Sequence, residues 1–403
     1  MPYTGPEPAR RPLSSDDITD GIVSTADLVD SAVTTAKLAT NSVTAAKVSS
    51  DVSQLGKNLL INGSCSVAQR GSVTGIGGSG DNGTFDRWLF VSGGGATGRV
   101  TVSQASLSAA DRATTGQGYA MEIDCTTAEV TVAANDIMWL VQRIEAQNLQ
   151  HLKYGNAAAK TLTLSFWFRS PKTGAHFVAA KQDDGTDTYI REFTIASADT
   201  WEKFTVTFPG DPTGTINNDT GSGYSITFPI INGSTYHGTK DTWTGSSSQY
   251  STSDQQNLLD NTANNIYITG VQLEVGSVAT DFEHEDYGTT LAKCQRYYFR
   301  QTDASLGARI ISGIANSSTA CQFAFRFLVE MRAAPTLGVS NVAHFLVAYD
   351  TTAAATTNIV AAVADVHSVR LTTTTGSATT AGDAVQLGFN GGGTHWFEFS
   401  AEL

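Results

Sequence analysis

The chain has 403 residues, 16% charged and 40% hydrophobic, with 38 glycines, a balance that favours many short strands joined by polar turns over a helical enzyme. The excess of 38 Asp and Glu over 25 Lys and Arg gives a net charge of −13, which argues against a basic groove for nucleic acid. No run of 18 apolar residues is present, so no membrane insertion is expected, and Met1–Pro6 lacks the basic and apolar regions of a signal peptide.

Residues 1–16 carry Pro2, Pro6, Pro8 and Pro12, four of the nine prolines. Fixed φ angles and missing donors keep this stretch out of helices and central strands and predict an extended arm that orders only against another surface. Residues 17–56 hold a decapeptide repeat in which Ile18, Val23, Leu28, Val33, Leu38, Val43 and Val48 recur every five residues. On a helix each such step turns by about 140°, scattering the apolar groups around the axis. On a strand an odd step alternates faces. A lone chain therefore has no face to bury, and three identical chains pointing their aliphatic rows at one axis do. The segment is expected to be the trimerising shaft of a homotrimer.

From Lys57 to about residue 299 the sequence reads as strands at intervals. Leu162, Leu164, Phe166 and Phe168 alternate with polar residues, as do Phe204, Val206 and Phe208. Tyr267–Val275 alternates too, with Gly270 suggesting a bulge. Asp183-Asp184-Gly185, Gly210-Asp211-Pro212 and Asn232-Gly233 mark turns. Ile137–Leu152 reads as a strand over Trp139–Glu145 and then a helical turn, the only helix of any length that is expected. The pattern restarts over residues 300–403. Phe323, Phe325, Phe327 and Val329 share one face, then Val385–Phe389 alternates, and a last strand runs from Phe397 to the end of the chain. The expected fold is mainly β: arm, repeat-built shaft, an antiparallel jelly-roll sandwich over 57–299, and a second C-terminal β-sandwich over 300–403. Cys65, Cys125, Cys294 and Cys321 are too far apart for a zinc spacing or a disulfide scaffold, and are expected to be reduced, mostly buried thiols.

Several motifs, taken as a set, carry a resemblance. Lys57-Asn58-Leu59-Leu60-Ile61-Asn62-Gly63-Ser64 with Gln69-Arg70-Gly71 is similar to the opening of tailed-bacteriophage fibre proteins. Tyr267–Gly276, Thr280-Asp281-Phe282-Glu283 and Cys294-Gln295-Arg296-Tyr297-Tyr298 resemble the close of the same region. Gln142-Arg143-Ile144-Glu145, Thr242-Trp243 and Gln256-Asn257-Leu258-Leu259-Asp260 fall between them. Met331-Arg332-Ala333-Ala334-Pro335 and Ala401-Glu402-Leu403 resemble the C-terminal tip of such proteins. The resemblance implies a homotrimeric virion fibre, synthesised in the host cytoplasm, with a middle domain like a carbohydrate-binding module.

Candidate chemistry is sparse. Gly75–Gly80 fits G-x-G-x-x-G but lacks the strand before it and the helix after it, so it reads as a loop. Glu145 and Glu274 are two carboxylates on strands, read as framework rather than as a hydrolytic pair. The seven histidines are dispersed, and Asp183, Asp184 and Asp187 read as a hairpin turn before a calcium loop, so no metal or cofactor is assigned. Tyr236, His237 and Trp243 sit in a long Ser/Thr/Gly loop suited to sugar rings, while Tyr349, His395 and Trp396 anchor loops of the C-terminal domain, the preferred place for recognition. The expected function is a non-enzymatic tail fibre. Pro2, Tyr3, Pro6, Pro8 and Pro12 would dock on a tail adaptor or baseplate protein, and the tip would meet host surface polysaccharide or lipopolysaccharide. The alternatives are a capsid-mounted fibre, a structural adaptor for another receptor-binding protein, and a jelly-roll polysaccharide-degrading enzyme.

Overall fold

The computed structural model describes residues 56–78, 80–302, 309–349, 352–376, 379–390 and 395–403. The proline arm (Pro2, Tyr3, Pro6, Pro8, Pro12) and the aliphatic row from Ile18 to Val48 lie outside the described residues.

Every ladder between the strands of the described chain is antiparallel. The first part runs β1 (Val73–Ile76), β2 (Gly80–Phe85), β3 (Trp88–Gly93), β4 (Arg99–Ser106), α1 (Ala109–Thr115), β5 (Tyr119–Thr127) and β6 (Ile137–Glu145). It continues with β7 (Leu162–Arg169), β8 (Gly174–Gln182), β9 (Thr188–Ile195), β10 (Glu202–Phe208), β11 (Ser222–Asn232) and β12 (Asn265–Val275). Two six-stranded sheets result, ordered β1-β4-β5-β12-β7-β10 and β2-β3-β6-β11-β8-β9. They face each other across one core, the two-layer solution that alternating strands demand.

The alternation read in the sequence places that core. Leu162, Leu164, Phe166 and Phe168 of β7 are all buried, and Phe166 meets Phe228 of β11 and Phe193 of β9 edge-on, each at 5.1 Å between ring centroids. Each such side chain contributes on the order of 1.5–3 kcal/mol by leaving water. The expected bulge in β12 is present: register with β7 shifts between Thr269 and Gln272, and Gly270 takes φ +61°. A side chain there would be strained and would press on the Trp167 ring. β6 is followed by a 3-10 turn over Ala146–Leu152, as the sequence suggests.

Two helices were not expected. Ser108 caps α1 by accepting from the Asp111 amide, and Gly116 closes it in the left-handed region. α2 (Tyr287–Gln295) is capped in the same way by Asp286, which accepts from Thr289. Both helices are short, and their caps outweigh any apolar periodicity. No helix among the described residues is long and apolar enough to cross a membrane.

The C-terminal part comprises β13 (Tyr298–Thr302), β14 (Arg309–Ala315), β15 (Ala320–Arg326), β16 (Thr336–Val339), β17 (Phe345–Tyr349), β18 (Thr352–Ala364), β19 (Ser368–Thr375), β20 (Ala384–Phe389) and β21 (Trp396–Ser400). Its alternating strands are arranged more tightly than two open layers. β20 pairs with both β14 and β17, which closes the ring β14-β15-β19-β18-β17-β20 into a small barrel and leaves the ring without free edges. The sheet β13-β21-β16 packs on it, so that Phe397 and Phe399 share a core with Phe323, Phe345 and Leu387. Phe327 and Val329 lie beyond the end of β15 instead of extending it. The last strand stops at Ser400, and Ala401–Leu403 continue in irregular conformation. All four cysteines are free and buried, and burial pushes the Cys65 thiol up to about 12.

Candidate functional site

Several of the motifs that carry the fibre resemblance, those holding Arg70, Glu145, Arg296, Tyr297, Arg332 and Glu402, meet at the joint between sandwich and barrel. Glu145, at the end of β6 and fully buried, accepts from Arg296 Nε at 2.8 Å and Nη2 at 2.9 Å, from the Tyr297 hydroxyl, and from Gln147. Burial alone would raise its carboxyl; the hydrogen bonds from Arg296 and Tyr297 outweigh that and hold it below the ordinary range. Glu402 is gripped by Arg70 at 3.2 Å and Arg87 at 2.5 Å, whose guanidinium groups each lie 3.4 Å over the rings of Tyr298 and Tyr297. Arg332 donates to the carbonyls of Ala401 and Glu402, and Arg143 to that of Leu403. Gln69 binds both oxygens of buried Asp86, whose carboxyl is nevertheless raised, burial outweighing Arg70 and Gln69. The carboxylates of Glu145, Glu402 and Asp86 are each satisfied by their neighbours, while Arg70 Nη1 and Arg87 Nε are buried without an acceptor. The joint fastens the sandwich to the barrel through these carboxylates.

Glu274 is spent in the same way, accepting from Gln272 and from the Thr280 amide and hydroxyl. Glu145 and Glu274 stand on strands of opposite sheets, each held by its own partners. Asp183 accepts from Ser222 and Ser225, Asp184 from Asn217, and Asp187 from Gly245, so the three do not converge. No three His, Cys, Asp or Glu side chains gather into a metal-ligating group among the described residues.

An open cleft of about 360 Å³ lies at one end of the sandwich, between the β5–β6 connection and the long segment after β11. Its floor includes Val132 and Ile231, with Val130, 73% exposed, on the rim. Its polar groups are Asn232, Ser234, His237, Ser253, Gln255, Gln256 and Asn257. Gly233 makes the geometry attainable: its amide donates to Asp136, and a Cβ would sit 2.2 Å from the Ala133 carbonyl oxygen. Asn232 is the organiser. Its Oδ1 accepts from Trp139 Nε1 at 2.9 Å, its Nδ2 donates to Ser251 and to the Tyr236 carbonyl, and its own carbonyl meets His237 Nε2 at 3.0 Å. A neutral His237 bonded in this way carries its proton on Nε2 and keeps Nδ1 as an acceptor. Behind this wall Trp139 packs on Tyr250 at 4.1 Å and meets Tyr236 edge-on at 5.4 Å. Gln255 donates through Nε2 to the Gln256 carbonyl, while its Oε1 is buried with no protein donor. Buried acceptors are rarely left so. The nearby Glu129 is occupied by Thr97 and Gly98, so the cleft has no free carboxylate from that side.

Of the residues singled out in the sequence, His237 lines this cleft, Tyr236 backs it, and Trp243 does not reach it. Trp243 is half-buried against Tyr189 and Tyr154 at the margin of the main core. In the C-terminal part, His395 is buried and stacks on His344 at 4.0 Å, and Trp396 lies under the Arg300 guanidinium at 4.4 Å. Tyr349 ends β17 at the opposite end from His344, so these three do not form one surface. Trp139, Asn232 and Gln255 were not foreseen as site residues. The turn at Asn232-Gly233 and the polar run Ser253–Asn257 were the available signals, but only the fold brings them together.

No protein-family model and no curated protein matches the sequence. Among solved structures, the chain is similar over 55% of its length to a candidate sugar binding protein from Bacteroides thetaiotaomicron, covering all of it at 15% identity and a TM-score of 0.32. It is also similar over 54% of its length to the enzymatically active domain of tailspike protein 4 of bacteriophage CBA120, covering 21% of it at 12% identity and a TM-score of 0.28. A family 11 carbohydrate-binding module of a Clostridium thermocellum cellulosomal cellulase is covered to 97%, at 15% identity and a TM-score of 0.25 over 50% of this chain. These are distant likenesses, and what those proteins bind or cleave does not transfer to this chain.

Proposed function

We propose that the chain is the subunit of a homotrimeric bacteriophage tail fibre, without enzymatic activity, and that the sandwich cleft takes a host surface glycan, a polysaccharide or lipopolysaccharide sugar. The observation that carries the glycan reading is the cleft itself, whose groups are amides, hydroxyls and an imidazole over an apolar floor. Sugar hydroxyls donate and accept, and sugar C–H faces suit Val132 and Ile231. The fibre reading is supported by the motif set and by the five-residue aliphatic repeat, and virion docking through residues 1–16 belongs to the same reading. Weak single-site binding suits such an assembly, because three cleft copies on one fibre raise the effective concentration.

A printed array of neutral and acidic bacterial oligosaccharides, probed with the full chain, tests the glycan reading. Binding should fall at least tenfold in His237→Ala and in Gln255→Leu while the fold is retained. An array that stays dark, or signals indifferent to both substitutions, would remove the cleft from recognition. Light scattering should give a mass near three times 42.5 kDa, and no reducing ends should appear when the protein is incubated with the oligosaccharides it binds.

A further inference from the structure

Three neighbouring barrel strands, β20, β17 and β18, contain no Asp, Glu, Lys or Arg anywhere along their length. In a chain of net charge −13 that is an unusual stretch of wall. β18 is also the longest strand described, at 13 residues, and its outward residues are small and mostly apolar. Ala353, Ala355, Thr357, Val360, Ala362 and Val363 are all exposed, Val360 at 42% and Val363 at 56%. Two register shifts, between Thr356 and Asn358 and between Ala361 and Val363, turn additional residues outward and lengthen the row. Arg370 of β19, paired with Val363, borders it, as do Asp365 just past the end of β18 and Asp383 just before β20.

Such a wall is a poor receptor for a sugar: it presents no aromatic face, and Asn358 is the single amide on β18. The barrel has no free edge here, so contact by strand addition is also closed. What suits an uncharged face of Ala, Thr and Val is another face of the same kind, approached closely enough for dispersion contact. A sister copy carries one by identity. Acidic sister chains also approach one another at least cost where no like charges meet. Near a threefold axis the same residues of the three copies face each other.

We propose that the outer wall along β18 is buried against sister copies of this chain, a step that rests on the homotrimer proposed above. The wall would hold the barrels together at the far end of the chain from the repeats.

Thiol labelling of the full-length protein tests this, because the four native cysteines are all buried. Val360→Cys and Ala355→Cys place a thiol on the wall; Ser197→Cys, at an exposed loop position of the sandwich, serves as the control. At a concentration where light scattering reports a trimer, a maleimide dye should label the wall thiols at least tenfold more slowly than the control, with equal rates in denaturant. Equal rates in the native trimer overturn the inference and leave the trimer standing. A monomeric mass overturns both. Val360→Lys gives a second readout: the thermal midpoint of the trimer should fall. A midpoint unchanged together with lost array binding would mean that the wall faces a ligand, which also overturns the inference.

Discussion

The joint and the cleft are both polar, and they are polar in opposite ways. At the joint, charged groups meet charged groups and the carboxylates are saturated: Glu145 by Arg296 and Tyr297, Glu402 by Arg70 and Arg87. In the cleft the groups are neutral amides, hydroxyls and an imidazole, and one buried acceptor is left over. Several of the motifs that resemble fibre proteins fall on the joint, and one of them also supplies Gln256 and Asn257 to the cleft, whereas Asn232, His237 and Gln255 belong to none. The motifs at the joint mark how the parts are fastened here.

That contrast breaks if the joint proves dispensable. Glu145→Ala would leave Arg296 and Tyr297 without their partner, and is expected to cost about 3–5 kcal/mol of unfolding free energy in a urea titration, since removing one member of a buried pair strands the other. A cost below about 1 kcal/mol would reduce the joint to decoration. The next effect should come from the other region: Gly233→Ala drives a Cβ into the Ala133 carbonyl, and is expected to cost about 2 kcal/mol and to abolish array binding with the joint untouched. Array binding that survives it would detach recognition from this turn.

Acid sharpens the contrast at a smaller scale. The folded Glu145 carboxyl lies below its ordinary value of 4.5, so its contribution is present above pH 4.5 and is lost as pH falls through the folded value. Asp86, raised from 3.8, works in the opposite sense, its ionised form being the costly one. The stability gap between the native chain and Glu145→Gln should therefore be widest near neutrality and close below pH 4.5. A gap that is constant with pH would mean that Glu145 is not the titrating group. The smallest change is expected for His237→Ala, within about 0.5–1 kcal/mol in stability, measured by the same titration, because its fold-related bond is one contact to the Asn232 carbonyl. A large loss would assign His237 to packing instead.

Alternation made the sandwich legible. β7, β10, β12 and β20 were each marked by their own residues, and so was the bulge at Gly270. Local alternation says nothing of which strand pairs with which. Closure of the barrel depends on β20 meeting both β14 and β17, a fact written in no single segment. The helices were missed because each is at most nine residues long and rests on its cap; the Ser108–Asp111 pair with Gly116 was the signal for α1. The cleft was half legible. His237 and the polar run at Ser253–Asn257 could be seen, but Trp139 lies 93 positions from the Asn232 it holds, and the aromatic prominence of Trp243 pointed to the core margin instead.

The brackets on Glu402 bear on the surroundings in which the molecule works. The side chains of Arg87 and Glu402 are 2% and 11% exposed, so mobile ions have little access to the space between them. Open pairs such as Lys240 with Glu192 and Lys293 with Glu285 weaken as electrolyte rises. The coupling of sandwich to barrel is shielded from that change, and the protein keeps the same fastening in dilute fresh water and in brine.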